Sequence, residues 1–414
     1  MNLPSSSLWR HVFFVGGLLL VATNLRPAIT AVGPLAERMG LDGLSRQEIG
    51  AYTTVPLILF GAVGLWAGWI GSRIGFARAL GMGLGILSVG CVLRSVHGPA
   101  EEFWRYSGTI LIGAGIAIGN VLLPGIVKSR YPNQVGLLTS LYATALNLGA
   151  AMGIAFAVPM AEALPGGWSM SLAMWGGMAL VSLLIWSPQM LKQPAKHRRV
   201  HPLGGVWSLA SQRRAWQVTA HMGLQSVVFY SAVAWLPSLL QSRGIEETRA
   251  AHWVAAMQLL GCLASIIIPT LAGRSRSQGW WSAGCAFTSA CSLLGILFLP
   301  EPWLWVSLIF LGFGLNASFG ISLLLIAMRS RDADTSASLS SLAQAVGYLF
   351  AAPGPWLFGW LSTITGGWTL VFCLIALIAA VVGIVGLFAG RPGVIGLGPN
   401  PNPEAAADLP ISRG

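Results

Sequence analysis

The chain has 414 residues, 55% of them hydrophobic and only 9% charged, a balance that a water-soluble domain of this size does not tolerate on its surface. With a mean hydropathy of +0.70, composition excludes an ordinary soluble enzyme and indicates a polytopic membrane protein. The net charge of +11 needs no nucleic-acid partner, because the basic residues gather in loops on one side of the expected bilayer.

Apolar stretches of about 20 residues, long enough for a roughly 30 Å hydrocarbon core, occur twelve times. They run at 11–36, 48–70, 77–97, 104–127, 136–160, 168–187, 215–240, 250–272, 281–300, 303–328, 338–363 and 368–390. Arg10 and His11 precede the first as in a signal peptide, but no small-residue cleavage site follows, so it is read as a retained helix.

Span 1 carries Thr23-Asn24-Leu25-Arg26-Pro27, with Arg26 about ten residues from either end. A cation at that depth costs roughly 2.5 to 3.5 kcal/mol on insertion scales and marks a protein interior or a watery path. Snorkelling to the interface would have to cover roughly 15 Å of helix. Helical periodicity places Thr23, Arg26, Thr30, Gly33 and Glu37 on one stripe and turns Asn24 about 200° away from Arg26. Pro27 removes a backbone donor and is expected to kink the span, exposing carbonyls beside the cation.

After span 2 comes Gly68-Trp69-Ile70-Gly71-Ser72-Arg73-Ile74-Gly75-Phe76-Ala77-Arg78, and span 4 contains Gly119-Asn120-Val121-Leu122-Leu123-Pro124-Gly125. The segment 188–214 is basic, lacks an acidic residue and divides the spans six and six, so it reads as a linker between bundles at 1–187 and 215–390. Span 7 holds Met222-Gly223-Leu224-Gln225-Ser226, Phe229-Tyr230 and Trp235-Leu236-Pro237. The tail, 391–414, has no apolar periodicity and reads as disordered.

The halves repeat each other. Ile112-Gly113-Ala114-Gly115 matches Leu311-Gly312-Phe313-Gly314, and Leu148-Gly149-Ala150-Ala151-Met152-Gly153 matches Leu349-Phe350-Ala351-Ala352-Pro353-Gly354, at nearly the same offset. The expected fold is therefore an all-α membrane protein, twelve transmembrane helices in two pseudo-symmetric six-helix bundles. Fourteen basic residues in the even-to-odd loops against six opposite put both termini in the cytoplasm. Ten tryptophans at expected span ends, Trp168, Trp186, Trp216, Trp280 and Trp368 among them, read as an interfacial belt.

These strings together resemble the cyanate and 2-nitroimidazole transporter branch of the major facilitator superfamily. The resemblance extends over all twelve spans, with the span 1 and span 4 strings its specific part. It implies a monomeric secondary transporter of the bacterial cytoplasmic membrane, with spans 1, 4, 7 and 10 lining a midplane cavity between halves that rock about it. In that family an aspartate and an arginine of the loop after span 2 hold a cytoplasmic gate. Arg73 stands at the arginine, Ser72 at the aspartate and Phe76 at a basic position.

On the lining spans, Arg26, Thr30, Asn120, Gln225, Phe229, Tyr230 and Asn316 are the expected substrate contacts. Tyr142, Asn147, Gln258, Gln344 and Tyr348 lie on flanking spans, with Gln344 and Tyr348 an i, i+4 pair that joins the candidate set. Arg26 offers a planar fork of donors to an anion, and buried amides serve either solute or helix packing.

The sequence has no Asp or Glu in mid-span, so carboxylate-based proton coupling is disfavoured; His221 and Glu37 are the weaker titratable routes. It has no phosphate-binding loop and no clustered His, Cys, Asp or Glu, so neither a cofactor, a metal nor an enzyme's constellation is expected. Two readings of cargo remain. One is a small anion such as cyanate or a small carboxylate, with Arg26 as counter-charge. The other is export of neutral aromatic heterocycles such as 2-nitroimidazole.

Overall fold

The computed structural model describes residues 5–131, 135–191, 204–331 and 333–396, which are helical almost throughout. In hydrocarbon the backbone finds no water, so each apolar run closes its own amide-to-carbonyl ladder. The first half holds α1 (Ser5–Asn24), α2 (Pro27–Thr30), α3 (Val32–Leu41), α4 (Arg46–Ile74), α5 (Phe76–Arg94), α6 (Glu101–Arg130), α7 (Val135–Ala163) and α8 (Gly167–Leu191). After α9 (Gly204–Ala210), the second half holds α10 (Arg213–Ser242), α11 (Glu247–Gly273), α12 (Gly279–Phe298), α13 (Leu304–Arg329), α14 (Ala333–Ala351), α15 (Pro353–Ile364) and α16 (Thr369–Ala389).

Among the described residues, eleven helical stretches are long and apolar enough to cross a membrane, the first running from His11 to Leu41. The twelfth crossing is shared by α14 and α15. Ser336, Ser338, Ser340, Ser341 and Gln344 lower the hydropathy of α14, and Pro353 interrupts the helix after Ala351.

The packing repeats between halves. In the first, α6 lies on α4 and α5, α5 on α8, and α1 on α7 and α8; in the second, α13 lies on α11 and α12, α12 on α16, and α10 on α14 and α16. The repeated glycines explain the match. A Cβ on Gly113 would run into Pro56 of α4 and one on Gly115 into Gly83 of α5, while Gly312 meets Met257 of α11 and Gly314 meets Cys285 of α12 in the same way. Small residues at these contacts let backbones approach closely. Between the halves, α7 packs on α11, α4 on α14 and α15, and α3 on α10.

Several expectations change in detail. Span 1 is not one continuous helix: it breaks at Leu25–Arg26 and again at Ala31, each break shortly before a proline that cannot donate, Pro27 and Pro34. Helix intrudes on both ends of the expected linker, since α8 reaches Leu191 and α9 begins at Gly204; residues 192–203 lie outside the described residues. The tail is not free from its start: Ile395 is buried, its amide donates to Arg329 O and its carbonyl accepts from Arg331 N, whereas residues 397–414 lie outside the described residues. The tryptophan belt is only partial. Trp216, Trp280 and Trp303 are exposed, but Trp168, Trp186 and Trp368 are buried, with Trp186 donating to Ala77 O and Trp168 to Asp42.

Candidate functional site

The break between α1 and α2 places the cation. Arg26 leaves the helical path (φ −125°, ψ −39°), and its carbonyl accepts from the amides of Ile29 and Thr30 at 3.1 and 3.0 Å, which starts the short α2. The Thr30 hydroxyl sits 3.2 Å from that same carbonyl and 3.1 Å from Ala150 O of α7, so it ties the broken segment to its neighbour. Glycine permits the approach: a Cβ on Gly149 would overlap Thr23 O, which Pro27 leaves without an i+4 donor, and one on Gly153 would meet Pro27 and Thr30. From α5, the buried Arg94 donates to Ala28 O at 2.9 Å and supports α2 from behind.

Arg26 is 4% exposed, and its Nε and Nη1 have no hydrogen-bond partner among the described residues. Three aromatic rings surround the guanidinium, with centroids at 5.2 Å for Phe229, 5.4 Å for Tyr230 and 5.6 Å for Phe319. Each such ring face offers a cation roughly 0.5 to 2 kcal/mol, more as water is excluded. Together they offset part of the cost of burying the charge, without satisfying its N–H groups.

Around this cation lies a chamber lined also by Asn147, Gln225, Ser226, Asn316 and Tyr348. Tyr348 packs edge-on to Tyr230 with centroids 6.2 Å apart, and Phe60 of α4 packs on both rings. The space left for the centre of a water molecule is about 10 Å³, so the chamber is contracted around its own side chains.

Of the residues singled out in the sequence, Arg26, Gln225, Phe229, Tyr230, Asn316 and Tyr348 meet here. Thr30, Asn120 and Gln344 do not line the chamber. Thr30 is turned to α7 by the bonds above, Asn120 is half-buried on α6, and Gln344 donates to Ser340 one turn back at 2.7 Å. Asn24 faces away, donating to Ser182 of α8 at 2.6 Å. His221 is buried between Ser322 and Ser282, 2.9 and 2.6 Å from its ring nitrogens, and lies outside the chamber. The chamber adds Phe319, which sequence reasoning did not name, Ser226, which it quoted only as part of the span 7 string, and Asn147, which it left on a flanking span. Phe319 stands three residues after Asn316, a helical spacing that shares a face.

Arg73 is exposed in the last turn of α4, ahead of Gly75, whose φ of +92° makes the turn into α5; the Ser72 side chain lies outside the described residues. Phe76, at the position expected to be basic, instead packs on Gly71.

At the end of the bundle that carries the loops after α3 and α10, a vestibule is lined by Glu37, Arg38, Asp42, Arg46, Trp235 and Glu247 among others. Polar contacts join the halves there. Arg38 pairs with Glu247 of α11 at 2.7 Å and with Glu162 of α7 at 2.7 Å, and Arg46 donates to Ser362 of α15 at 3.1 Å.

A discontinuous helix lining a midplane chamber between two repeated bundles is the architecture of a secondary transporter. The family model described as Major Facilitator Superfamily matches residues 12–355. The chain belongs to that superfamily. It is 37% identical over 391 residues to the Bacillus subtilis (strain 168) protein named uncharacterized transporter YycB, with 94% of this chain and 96% of that one covered. To the 2-nitroimidazole transporter of Escherichia coli (strain K12) it is 34% identical over 387 residues, covering 92% and 96%. To the cyanate transport protein CynX of the same organism it is 26% identical over 373 residues, covering 89% and 94%. Among solved structures, the crystal structure of a D-xylose–proton symporter superposes with a TM-score of 0.69 at 15% identity, covering 92% of this chain and 97% of that one, which shows the shared fold. This member of the superfamily is thus a multi-pass membrane transporter, and its relatives are transporters rather than enzymes.

Proposed function

We propose that this transporter carries a small anion, of the size of cyanate or a small carboxylate, by alternating access, with Arg26 as the counter-charge. One observation carries the reading: a buried guanidinium whose Nε and Nη1 have no partner, with no carboxylate paired to it among the described residues. A guanidinium is never deprotonated in a protein, so an unpaired one in the membrane interior is stabilised most by an arriving anion, and its planar fork suits carboxylate geometry. The cyanate relative's name agrees with such cargo. Transport is driven by solute or ion gradients, the protein acts as a monomer in a bacterial cytoplasmic membrane with both termini inside, and the vestibule end faces outward, held shut by the Arg38 ion pairs.

A second reading is favoured by the rings. Phe229, Tyr230, Phe319 and Tyr348 around the cation suit a flat heterocycle bearing an acceptor such as a nitro group, and the 34% identical relative is named for 2-nitroimidazole.

Labelled cyanate counterflow in proteoliposomes, with unlabelled anions and nitroimidazoles as competitors, separates the two. The anion reading expects saturable flux that anions compete for and that Arg26→Ala lowers by roughly two orders of magnitude, the scale of losing one partner of a buried charge pair. Arg26→Lys keeps the charge, loses the fork and falls between. Flux indifferent to Arg26 overturns the counter-charge role, and competition by nitroimidazoles alone transfers the assignment to heterocycles.

A further inference from the structure

The chamber's amides are turned one way, and their neighbours fix that orientation. The amide nitrogen of Asn316 lies 2.9 Å from Gly312 O, a backbone carbonyl that can only accept, so the atom facing it must be Nδ2. Its other hydrogen goes to Gln258 Oε1 of α11 at 3.2 Å, in a space left by the missing Cβ of Gly261. Gln225 is fixed by the same logic. The Ser226 hydroxyl gives its single proton to Met222 O at 2.7 Å, so the Gln225 atom 3.0 Å from Ser226 Oγ must be Nε2, whose second hydrogen reaches Met222 Sδ at 3.5 Å. Both amides have therefore committed their donors, and what remains of each for a solute is a carbonyl oxygen.

Arg26 is the reverse, with five donors and no acceptor. Asn147 can turn either edge of its amide, and the Tyr230 and Tyr348 hydroxyls can donate or accept, so none of these sets a sign. The groups that do set one are divided by half: the donor Arg26 belongs to the first bundle, the acceptors Gln225 and Asn316 to α10 and α13 of the second.

We infer that the solute is bipolar, with an anionic or strongly accepting group for Arg26 and an N–H or O–H donor for the Asn316 and Gln225 carbonyls. This rests on the transport reading above and narrows its cargo to solutes that carry a donor as well, so that cyanate and simple carboxylates are the poorer members of the class. An anion without a donor meets two carbonyl oxygens that repel it and leaves them desolvated without a partner, whereas a solute with both groups bonds to both bundles at once. The donor is thus what draws the second half onto a solute already held by the first.

Isosteres that exchange one N–H for an oxygen test this directly. Flux of pyrrole-2-carboxylate and pyrrole-3-carboxylate is measured in proteoliposomes against the furan carboxylates of the same substitution, with nitropyrrole and nitrofuran as the uncharged pair, for wild type, Arg26→Ala and Asn316→Leu. The inference expects Arg26-dependent flux in which at least one pyrrole exceeds its furan by about tenfold or more, the scale of one buried hydrogen bond. Asn316→Leu should bring that ratio down toward one, because it removes both the acceptor for the pyrrole N–H and the oxygen that repels the furan; a variant that merely misfolds loses Arg26-dependent flux of both members and melts well below wild type in detergent. Arg26-dependent flux with equal rates for pyrrole and furan throughout overturns the donor requirement and leaves the transport reading standing. A panel with no Arg26-dependent flux overturns the transport reading and the donor requirement with it.

Discussion

At the scale of single residues, the chamber is organised around a charge with no carboxylate paired to it among the described residues. Phe229, Tyr230 and Phe319 present ring faces to Arg26. Replacing Phe319 by leucine removes one face, worth roughly 0.5 to 2 kcal/mol, from the form without solute, where no anion compensates. The expected outcome is a lower melting temperature for the empty protein and a larger upward shift on adding solute, read by thermal unfolding in detergent; an unchanged shift would mean that the ring is only packing. Much of this chamber was legible in the sequence, because a mid-membrane arginine and mid-span amides are rare enough to stand out. The direction in which Asn316 and Gln225 point was not. That depends on Gly312 O and Gln258 for one and on Ser226 and Met222 for the other, and only the folded contacts settle which amide edge is used up. Thr30 misled the helical wheel for a related reason: the wheel assumes one continuous helix, and the break after Leu25 re-aims everything beyond it.

At the scale of elements, the broken first span is the part that must be held in place. An unwound segment in a membrane needs neighbours for its freed carbonyls, and here Arg94 takes Ala28 O, Thr30 bridges to Ala150 O, and Gly149 lets α7 close over Thr23 O. Gly149→Ala puts a methyl group into that carbonyl, an overpacking that typically costs about 1 to 3 kcal/mol. Gly177→Ala on α8 meets nothing within 4 Å and gains helix propensity. The first should melt several degrees lower than wild type and the second no lower, and equal melting of the two would show that the approach of α7 to the break is slack. Pro27 announced the first break in the sequence, whereas the residues that stabilise the broken segment lie 66 and 120 positions away and carry no local signal.

For the whole molecule, the apolar run lengths and the repeated glycines sufficed to lay out two bundles, because each repeated glycine marks the same helix-to-helix approach in both halves. What they leave open is how the halves meet at the vestibule end, where charges far apart in sequence pair with one another. Arg38 reaches Glu247 in the other half through Nε at 3.0 and 2.8 Å to the two carboxylate oxygens, and Glu162 in its own half through Nη2. Just inward, α3 lies against α10, where a Cβ on Gly33 would collide with the carbonyls of Val233 and Ala234. Both Arg38 and Glu247 are partly solvent-exposed, so their pairing contributes on the order of 0.2 to 1 kcal/mol rather than the larger value of a buried pair. Glu247→Gln should therefore tilt the balance without abolishing closure. In a cysteine-free background carrying Ala234→Cys, buried beneath α3, labelling by an impermeant thiol reagent from the vestibule side should rise about 1.5- to 5-fold when Glu247→Gln is added, the population change that this energy permits. Closure that depended on the ion pair alone would give a far larger rise. An unchanged rate would leave closure to the other contacts at this end, the approach of α3 to α10 at Gly33 and the Arg46–Ser362 bond among them, and make the ion pair a bystander.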